Sequence, residues 1–183
     1  VNLNSHGLIV GARIENYLLE KIRVVQVAED ERSYHIMYQL VQSPMASELH
    51  LQGMLKQLRF LNSSSCLTAP GVDDAEWFRE VQHAFITLGF EDDESQWVMY
   101  NTAAVLLLGN ISFETKGEGG SQVDSASMRT LGMAAELLRV NEETLKNSLT
   151  TRSISVRGEK SVMEQKPSEA IKAADALAKA IYG

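Results

Sequence analysis

Arg152-Ser153-Ile154-Ser155-Val156-Arg157-Gly158-Glu159-Lys160-Ser161-Val162-Met163 reads as a short hairpin, and twelve residues on the chain runs Asp175-Ala176-Leu177-Ala178-Lys179-Ala180-Ile181-Tyr182-Gly183. The strands are expected at 152–156 and 161–163, turning at Gly158. A helix is expected from Ser168, with Ile171, Ala174, Leu177, Ala178 and Ile181 on one face. Glu159 at the hairpin tip stands sixteen positions before Asp175. Residues 152–166 carry Arg152, Arg157, Lys160 and Lys166 against Glu159 and Glu164, a local balance of +2 in a chain whose net charge is −7.

Working back from this hairpin, the pattern is mainly helical. At the start of the chain, Val1-Asn2-Leu3 and 8–14 read as two strands around Asn4-Ser5-His6-Gly7, with Leu8, Val10, Ala12 and Ile14 on one face. Gly7 can supply the positive φ of a tight turn. A lone hairpin is marginal in water, so this one is expected to need further strands. From Asp30 the period changes: Tyr34, Met37, Tyr38 and Val41 make one helical stripe. Ser43-Pro44 breaks it. A second helix is expected over 47–57, with Leu51, Met54, Leu55 and Leu58 inward. Asp73 with Glu76 forms a capping box before a helix burying Phe78, Val81, Phe85 and Leu88, capped by Gly89. Asp93 and Gln96 are expected to open the next helix the same way, carrying Trp97, Tyr100, Ala104, Leu107 and Leu108. Residues 114–122 hold three glycines and no large apolar residue, which predicts a mobile surface loop. Short helical pieces are expected at 125–131, 134–138 and, behind an Asn141 cap, 142–149.

The 183 residues suffice for one sizeable core. A hydrophobic content of 44% and a charged content of 22% are those of a globular protein. The longest apolar run, 103–108, is far short of the roughly 20 residues a membrane span needs. A single cysteine, Cys66, permits no internal disulfide and suits an intracellular setting. Net negative charge argues against nucleic acid or an anionic membrane as default partner. The abrupt start at Val1 and stop after the last helix read as a piece of a larger machine.

Five motifs occur in order along this chain. They are Gly11-Ala12-Arg13-Ile14-Glu15-Asn16-Tyr17-Leu18-Leu19-Glu20-Lys21, Glu31-Arg32-Ser33-Tyr34-His35-Ile36-Met37-Tyr38-Gln39-Leu40, Phe60-Leu61-Asn62 with Ser64, Leu108-Gly109-Asn110-Ile111-Ser112-Phe113, and 175–182. Together they resemble the myosin motor, over nearly the whole chain, and specifically its upper 50 kDa subdomain. Departures at Ile22, Leu107 and Ala174, where the family usually has Ser, His and Arg, suggest a divergent class. The resemblance implies a mainly α fold with short β. Residues 1–21 would be strands of the central transducer sheet, 30–149 the helical subdomain, 150–166 an actin-contacting hairpin, and 168–183 the helix leading to the second nucleotide switch. Tyr17, Leu18 and Leu19 would be packing residues.

The resemblance also implies an actin filament and the rest of the heavy chain as partners, in the cytoplasm at the cytoskeleton. The implied actin-binding residues are Glu159, Arg152, Arg157 and Lys160 in the hairpin, and Lys116 in a second, smaller actin-facing loop at 115–122. Myosins carry an acid or a phosphorylatable residue at the tip position, and a built-in Glu implies competence without a kinase. Actin is itself acidic, so the basic hairpin is the segment suited to meet it. No G-x-x-x-x-G-K-[ST] loop occurs, and Gly117-Glu118-Gly119-Gly120 lacks the following Lys-Ser/Thr. ATP and Mg²⁺ are therefore expected in the parent motor, and this segment alone is expected not to hydrolyse ATP. The four histidines show no ligand spacing, His35 reads as a structural residue, and Ser63-Ser64-Ser65-Cys66 as a turn with a half-buried thiol. The alternative is a myosin-like interaction module that has lost catalysis.

Overall fold

The computed structural model describes residues 1–13, 17–117, 119–156 and 159–183, with backbone position alone for residues 155, 156, 159 and 160. In chain order the elements are β1 (Asn2–Leu3), β2 (Ile9–Gly11), α1 (His35–Gln42), α2 (Asp74–Thr87), α3 (Asp92–Leu108), β3 (Phe113–Lys116), β4 (Gly120–Val123), α4 (Met128–Leu138), α5 (Glu142–Thr150), β5 (Thr151–Val156), β6 (Glu159–Glu164) and α6 (Pro167–Tyr182). The fold is thus mainly helical with short β, as expected. Among the described residues the strands form three separate antiparallel pairs, β1–β2, β3–β4 and β5–β6.

The core is built around α3. Every residue from Thr102 to Gly109 is buried, which follows from an apolar run with no polar face to offer solvent. α6 packs on α3 through Ala170, Ala174 and Ala178, one residue per turn, whose small side chains let the two backbones approach. The expected stripe on α6 is therefore shifted. Leu177 and Ile181 are half-buried at its rim, and Ile171 is 40% exposed. α1 buries Met37, Tyr38, Leu40 and Val41 against α2 and α3, in line with its helical stripe.

Several expectations are corrected. Residues 47–57 form turns, not a helix. One turn closes as a Schellman motif, with Leu51 N–H donating to Ala46 O, His50 N–H to Ser47 O, and His50 itself in the left-handed region at φ 58°. Gly53, at φ 71°, prevents a restart. Leu51 and Leu58 still point inward and are fully buried. The expected loop at 114–122 is a hairpin, β3–β4, paired from Phe113↔Val123 to Lys116↔Gly120. Val123 and Ser121 face the body there, and little apolar bulk is needed because helix α5 supplies it. Residues 128–138 are one continuous helix. α2 is capped by Asp73, whose Oδ1 accepts from Ala75 and Glu76 N–H. Leu88 at its far end is exposed instead of buried, because Gly89 reverses the chain there. α3 opens at Asp92, earlier than expected, with the Glu94 carboxylate accepting from Glu91 N–H. Trp97 on its first turns is 61% exposed. His35 is exposed beside Trp77, with ring centroids 5.8 Å apart, and is not part of the core.

The N-terminal ribbon turns as expected: the Asn4 side chain accepts from His6 and Leu8 N–H, and Gly7 has φ 76°. Val1, Leu3, Leu8, Ile9 and Val10 are all exposed, so neither face is covered. Ile14 lies outside the described residues. Tyr17 and Leu18, expected to pack, are 85% and 82% exposed.

Candidate functional site

The β5–β6 hairpin connects α5 to α6. Its strands pair without a bulge from Thr151↔Glu164 through Arg152↔Met163, Ser153↔Val162, Ile154↔Ser161 and Ser155↔Lys160 to Val156↔Glu159. Gln165 fastens the base: its N–H donates to Thr150 O at 2.8 Å, and its Nε2 donates to Leu149 O at 3.3 Å and Thr151 O at 3.1 Å. α5 itself is set by its Asn141 cap, whose Oδ1 accepts from Thr144 N–H at 3.0 Å. A rigid base under a two-stranded arm presents the arm's side chains at a fixed place.

Arg152 is exposed, on the face shared with Ile154, Ser161 and Met163. Val162, on the other face, is 67% exposed, and Met163 is 45% exposed. Glu159 begins β6 and pairs with Val156, and Lys160 pairs with Ser155, so both occupy the distal end of the ribbon. Of the expected tip, 157–160, Glu159 and Lys160 belong instead to strand β6, and Arg157 and Gly158 lie outside the described residues. Of the five residues singled out in the sequence, Arg152, Glu159 and Lys160 fall on this one ribbon. The fifth, Lys116, lies on β3 and reaches the base of the ribbon, its Nζ 3.1 Å from Glu164 Oε1, at the opposite end from Glu159 and Lys160. A polar cleft of about 440 Å³ runs between the two hairpins and α5, lined by Lys116, Ser121, Lys146, Thr150 and Glu164 among others. On its α5 wall, the hydrogen bond from Lys146 holds the Glu143 carboxyl below the usual carboxylate range.

Asp175 has a different role from its partner in spacing. Its carboxylate is paired with the Arg59 guanidinium, whose Nε donates to Gly109 O at 2.5 Å. The Arg59 N–H donates to Asn110 Oδ1 at 2.8 Å, and Asn110 Nδ2 donates to Gln57 O at 2.8 Å. Arg59 also stacks on Phe60 at 4.7 Å. Three of the sequence motifs therefore meet at one fastening of α3 to α6. Gly109 is needed there, since a Cβ would stand 2.8–2.9 Å from three carbons of the Phe60 ring. Sequence reasoning missed Arg59, Gln165 and Glu164 as positioning groups. The only signal was that each adjoins a motif or the hairpin.

A second fastening is buried. Arg32 Nη2 donates to Asp74 Oδ2 at 2.7 Å with both side chains about 5% exposed or less, and the guanidinium covers the Tyr38 ring at 3.8 Å. Gln42 Nε2 also donates to Asp74 Oδ2, at 3.0 Å. At the end of α6, Tyr182 stacks on Tyr34 at 4.7 Å, and burial pushes its phenol well above the usual range.

The described residues do not fit a phosphate cradle. Gly119 leads into strand β4, not a helix N-terminus, and Lys116 is ion-paired. Ser64 Oγ donates to Glu29 O and the half-buried Cys66 thiol to Thr68 O, so neither is paired with a base. Among the described residues no three His, Cys, Asp or Glu side chains converge, and no helix is long and apolar enough to cross a membrane.

A family profile described as "Myosin head (motor domain)" matches residues 1–183. The chain is 40% identical over 184 residues to "Myosin-3" of Arabidopsis thaliana, covering all of the chain and 16% of that protein. It is 38% identical over 187 residues to "Unconventional myosin heavy chain 6" of Caenorhabditis elegans and 38% over 188 residues to "Myosin-I heavy chain" of Dictyostelium discoideum, spanning 9% and 8% of those proteins. The chain thus spans less than a fifth of the length of these relatives.

Proposed function

The chain belongs to the myosin head motor domain family, and from that premise we propose that it is the upper 50 kDa subdomain of an actin-based motor, contributing filament-binding surface and no nucleotide pocket. The observation that carries this reading is the family match over residues 1–183, with five motifs in order. ATP and Mg²⁺ belong, in this reading, to the rest of the heavy chain. There, the phosphate cradle and metal-holding groups needed for phosphoryl transfer would be supplied. The protein would work in the cytoplasm, at the cytoskeleton.

The β5–β6 hairpin is the proposed actin-contacting arm. Glu159 sits at its distal end with Lys160, and Arg157 and Arg152 supply positive charge on an acidic body. Exposed charges of this kind set encounter rate and register more than affinity. Lys116 serves the same face from the β3–β4 hairpin. The β1–β2 ribbon is the proposed contribution to the transducer sheet. Its uncovered Val1, Leu3, Ile9 and Val10 support that reading, because a solitary two-stranded ribbon with bare apolar faces is marginal in water. α6 would lead toward the second nucleotide switch.

Cosedimentation with actin filaments and filament-activated ATPase, measured on the heavy chain with Glu159→Arg, test the hairpin. Weaker binding and weaker activation are expected. Unchanged values for both would remove Glu159 from the interface, and an absence of ATPase in the unaltered protein would favour the non-catalytic module.

A further inference from the structure

The corner where the two hairpins meet depends on three residues. Lys116 closes β3 and Glu164 closes β6, their charged atoms 3.1 Å apart. Gly120 opens β4 directly opposite Lys116. A Cβ on Gly120 would stand 2.0 Å from Glu164 Oε2 and 2.8 Å from its Cδ. The carboxylate therefore lies on the bare Cα of Gly120 while it holds Lys116, and that seat exists only because position 120 has no side chain.

Glu164 is held in place at its backbone. It is in register with Thr151, and the next residue, Gln165, is bonded to three backbone carbonyls at the end of α5 and the start of β5. The other end of the connection does need holding. β3 and β4 are four residues each and pair only with one another, and Glu114, Thr115 and Lys116 are exposed. Such a pair is marginal without support. β4 is anchored through Ser121 and Val123 and β3 through Phe113 and its packing on α6, while at the exposed distal end of β3 the contact with Glu164 ties Lys116 to the body. An isolated exposed ion pair stabilises little. This one is combined with close packing of the carboxylate on backbone.

We propose that Lys116, Glu164 and Gly120 form a strut that fixes the β3–β4 hairpin to the base of β5–β6, and that Lys116 is a positioning residue for filament binding, not a contact. The second half rests on the filament-binding reading above, whereas the strut is intramolecular and is tested without a filament. Lys116 Nζ is held at Glu164. Its effect on binding is then to hold the β3–β4 strands in place.

The test uses the heavy chain with Lys116→Met, Glu164→Gln, Glu164→Lys, Gly120→Ala and the swap Lys116→Glu/Glu164→Lys. Gly120→Ala matters most, because it changes no charge. Its backbone lies outside the left-handed region, so alanine is sterically possible once the Glu164 carboxylate moves aside, with the Lys116 carbonyl oxygen 3.2 Å from the added Cβ. Without filaments, hydrogen–deuterium exchange of amides 113–123 and 159–165 is expected to rise about two- to fivefold in both hairpins for Lys116→Met, Glu164→Gln and Gly120→Ala, and the swap restores protection. Loosening confined to the hairpin that carries the substitution, or none, overturns the strut.

With actin filaments, Gly120→Ala is expected to weaken cosedimentation by about two- to fivefold. Glu164→Lys is expected to weaken it too, although it adds positive charge to a face meeting an acidic partner, and the swap is expected to recover it. Tighter binding by Glu164→Lys, with no recovery in the swap, overturns the positioning role and makes Lys116 a direct contact. If the unaltered protein fails to sediment with filaments, the positioning role falls together with the reading it rests on, while the exchange pattern still decides the strut.

Discussion

Gly109→Ala is the sharpest probe of how α3 is fastened to α6. The added Cβ would lie 2.8, 2.9 and 2.9 Å from Cε2, Cδ2 and Cζ of Phe60, a ring that is fully buried. Ordinary carbon contacts lie near 3.5–4.0 Å, so the ring must withdraw by about 0.6 Å or more. It has little room, because Leu58, Leu61 and Leu108 around it in the core are also fully buried. Arg59 stacks on the outer face of that ring while its Nε donates to the Gly109 carbonyl and its Nη2 reaches Asp175, so displacing the ring disturbs the link to α6 as well. Overpacking of this kind costs about 1–3 kcal/mol. For a domain of this size that corresponds to a fall in Tm of roughly 2–10 °C. Differential scanning calorimetry of the variant against the unaltered protein reads it. Phe60→Leu removes ring atoms at the collision, and the double variant is expected to be less destabilised than the sum of the two single changes. A Gly109→Ala protein with unchanged Tm, or strict additivity in the double variant, would refute the close-approach account.

Two further outcomes are expected. Arg32→Ala leaves Asp74 as a buried, uncompensated carboxylate and is expected to cost about 3–5 kcal/mol, whereas replacing both partners with apolar residues of similar volume costs less; denaturant unfolding of the three proteins checks the order. The Tyr182 phenol, raised by burial and by the neighbouring Tyr34, stays protonated in the folded protein through the range where an unfolded tyrosine ionises. Its stabilising contribution is full below the ordinary phenol pKa of about 10 and is lost as pH rises above it, so Tyr182→Phe is expected to flatten the alkaline limb of a stability profile. An ultraviolet phenolate titration in which all five tyrosines ionise together near the ordinary value contradicts this.

Much of this fold is legible in local patterns, for reasons particular residues make plain. α1 follows from Met37, Tyr38 and Val41 recurring at helical spacing, and all three are buried. Asp73 and Asn141 mark helix starts because their side-chain oxygens satisfy free N–H groups, and both do so here. The β5–β6 hairpin follows from its turn and flanking runs. Failures came where tertiary context outweighed local propensity. Residues 47–57 carry an apolar spacing that suits a helix, yet His50 and Gly53 take positive φ and the same leucines reach the core through turns. The β3–β4 hairpin was invisible because a strand of Gly120, Ser121, Gln122 and Val123 has almost no apolar alternation, and its pairing is set by the helix and hairpin beside it. Ala170, Ala174 and Ala178 replaced the larger residues as the buried line of α6, since close approach to α3 favours small side chains over bulky ones. At the candidate site, the hairpin that carries Arg152, Glu159 and Lys160 was legible in the sequence. That Lys116 is engaged by Glu164 was not, because the two are 48 residues apart and only the fold brings them together.

The central claim is that this chain supplies the filament-gripping surface of a motor, through the β5–β6 hairpin. An electron cryomicroscopy reconstruction of actin filaments decorated with the nucleotide-free heavy chain tests it most directly. Residues 151–164 are expected to lie against the filament with the β3–β4 hairpin beside them. Well-resolved density with that ribbon turned toward solvent, or a protein that does not decorate filaments at all, would contradict it.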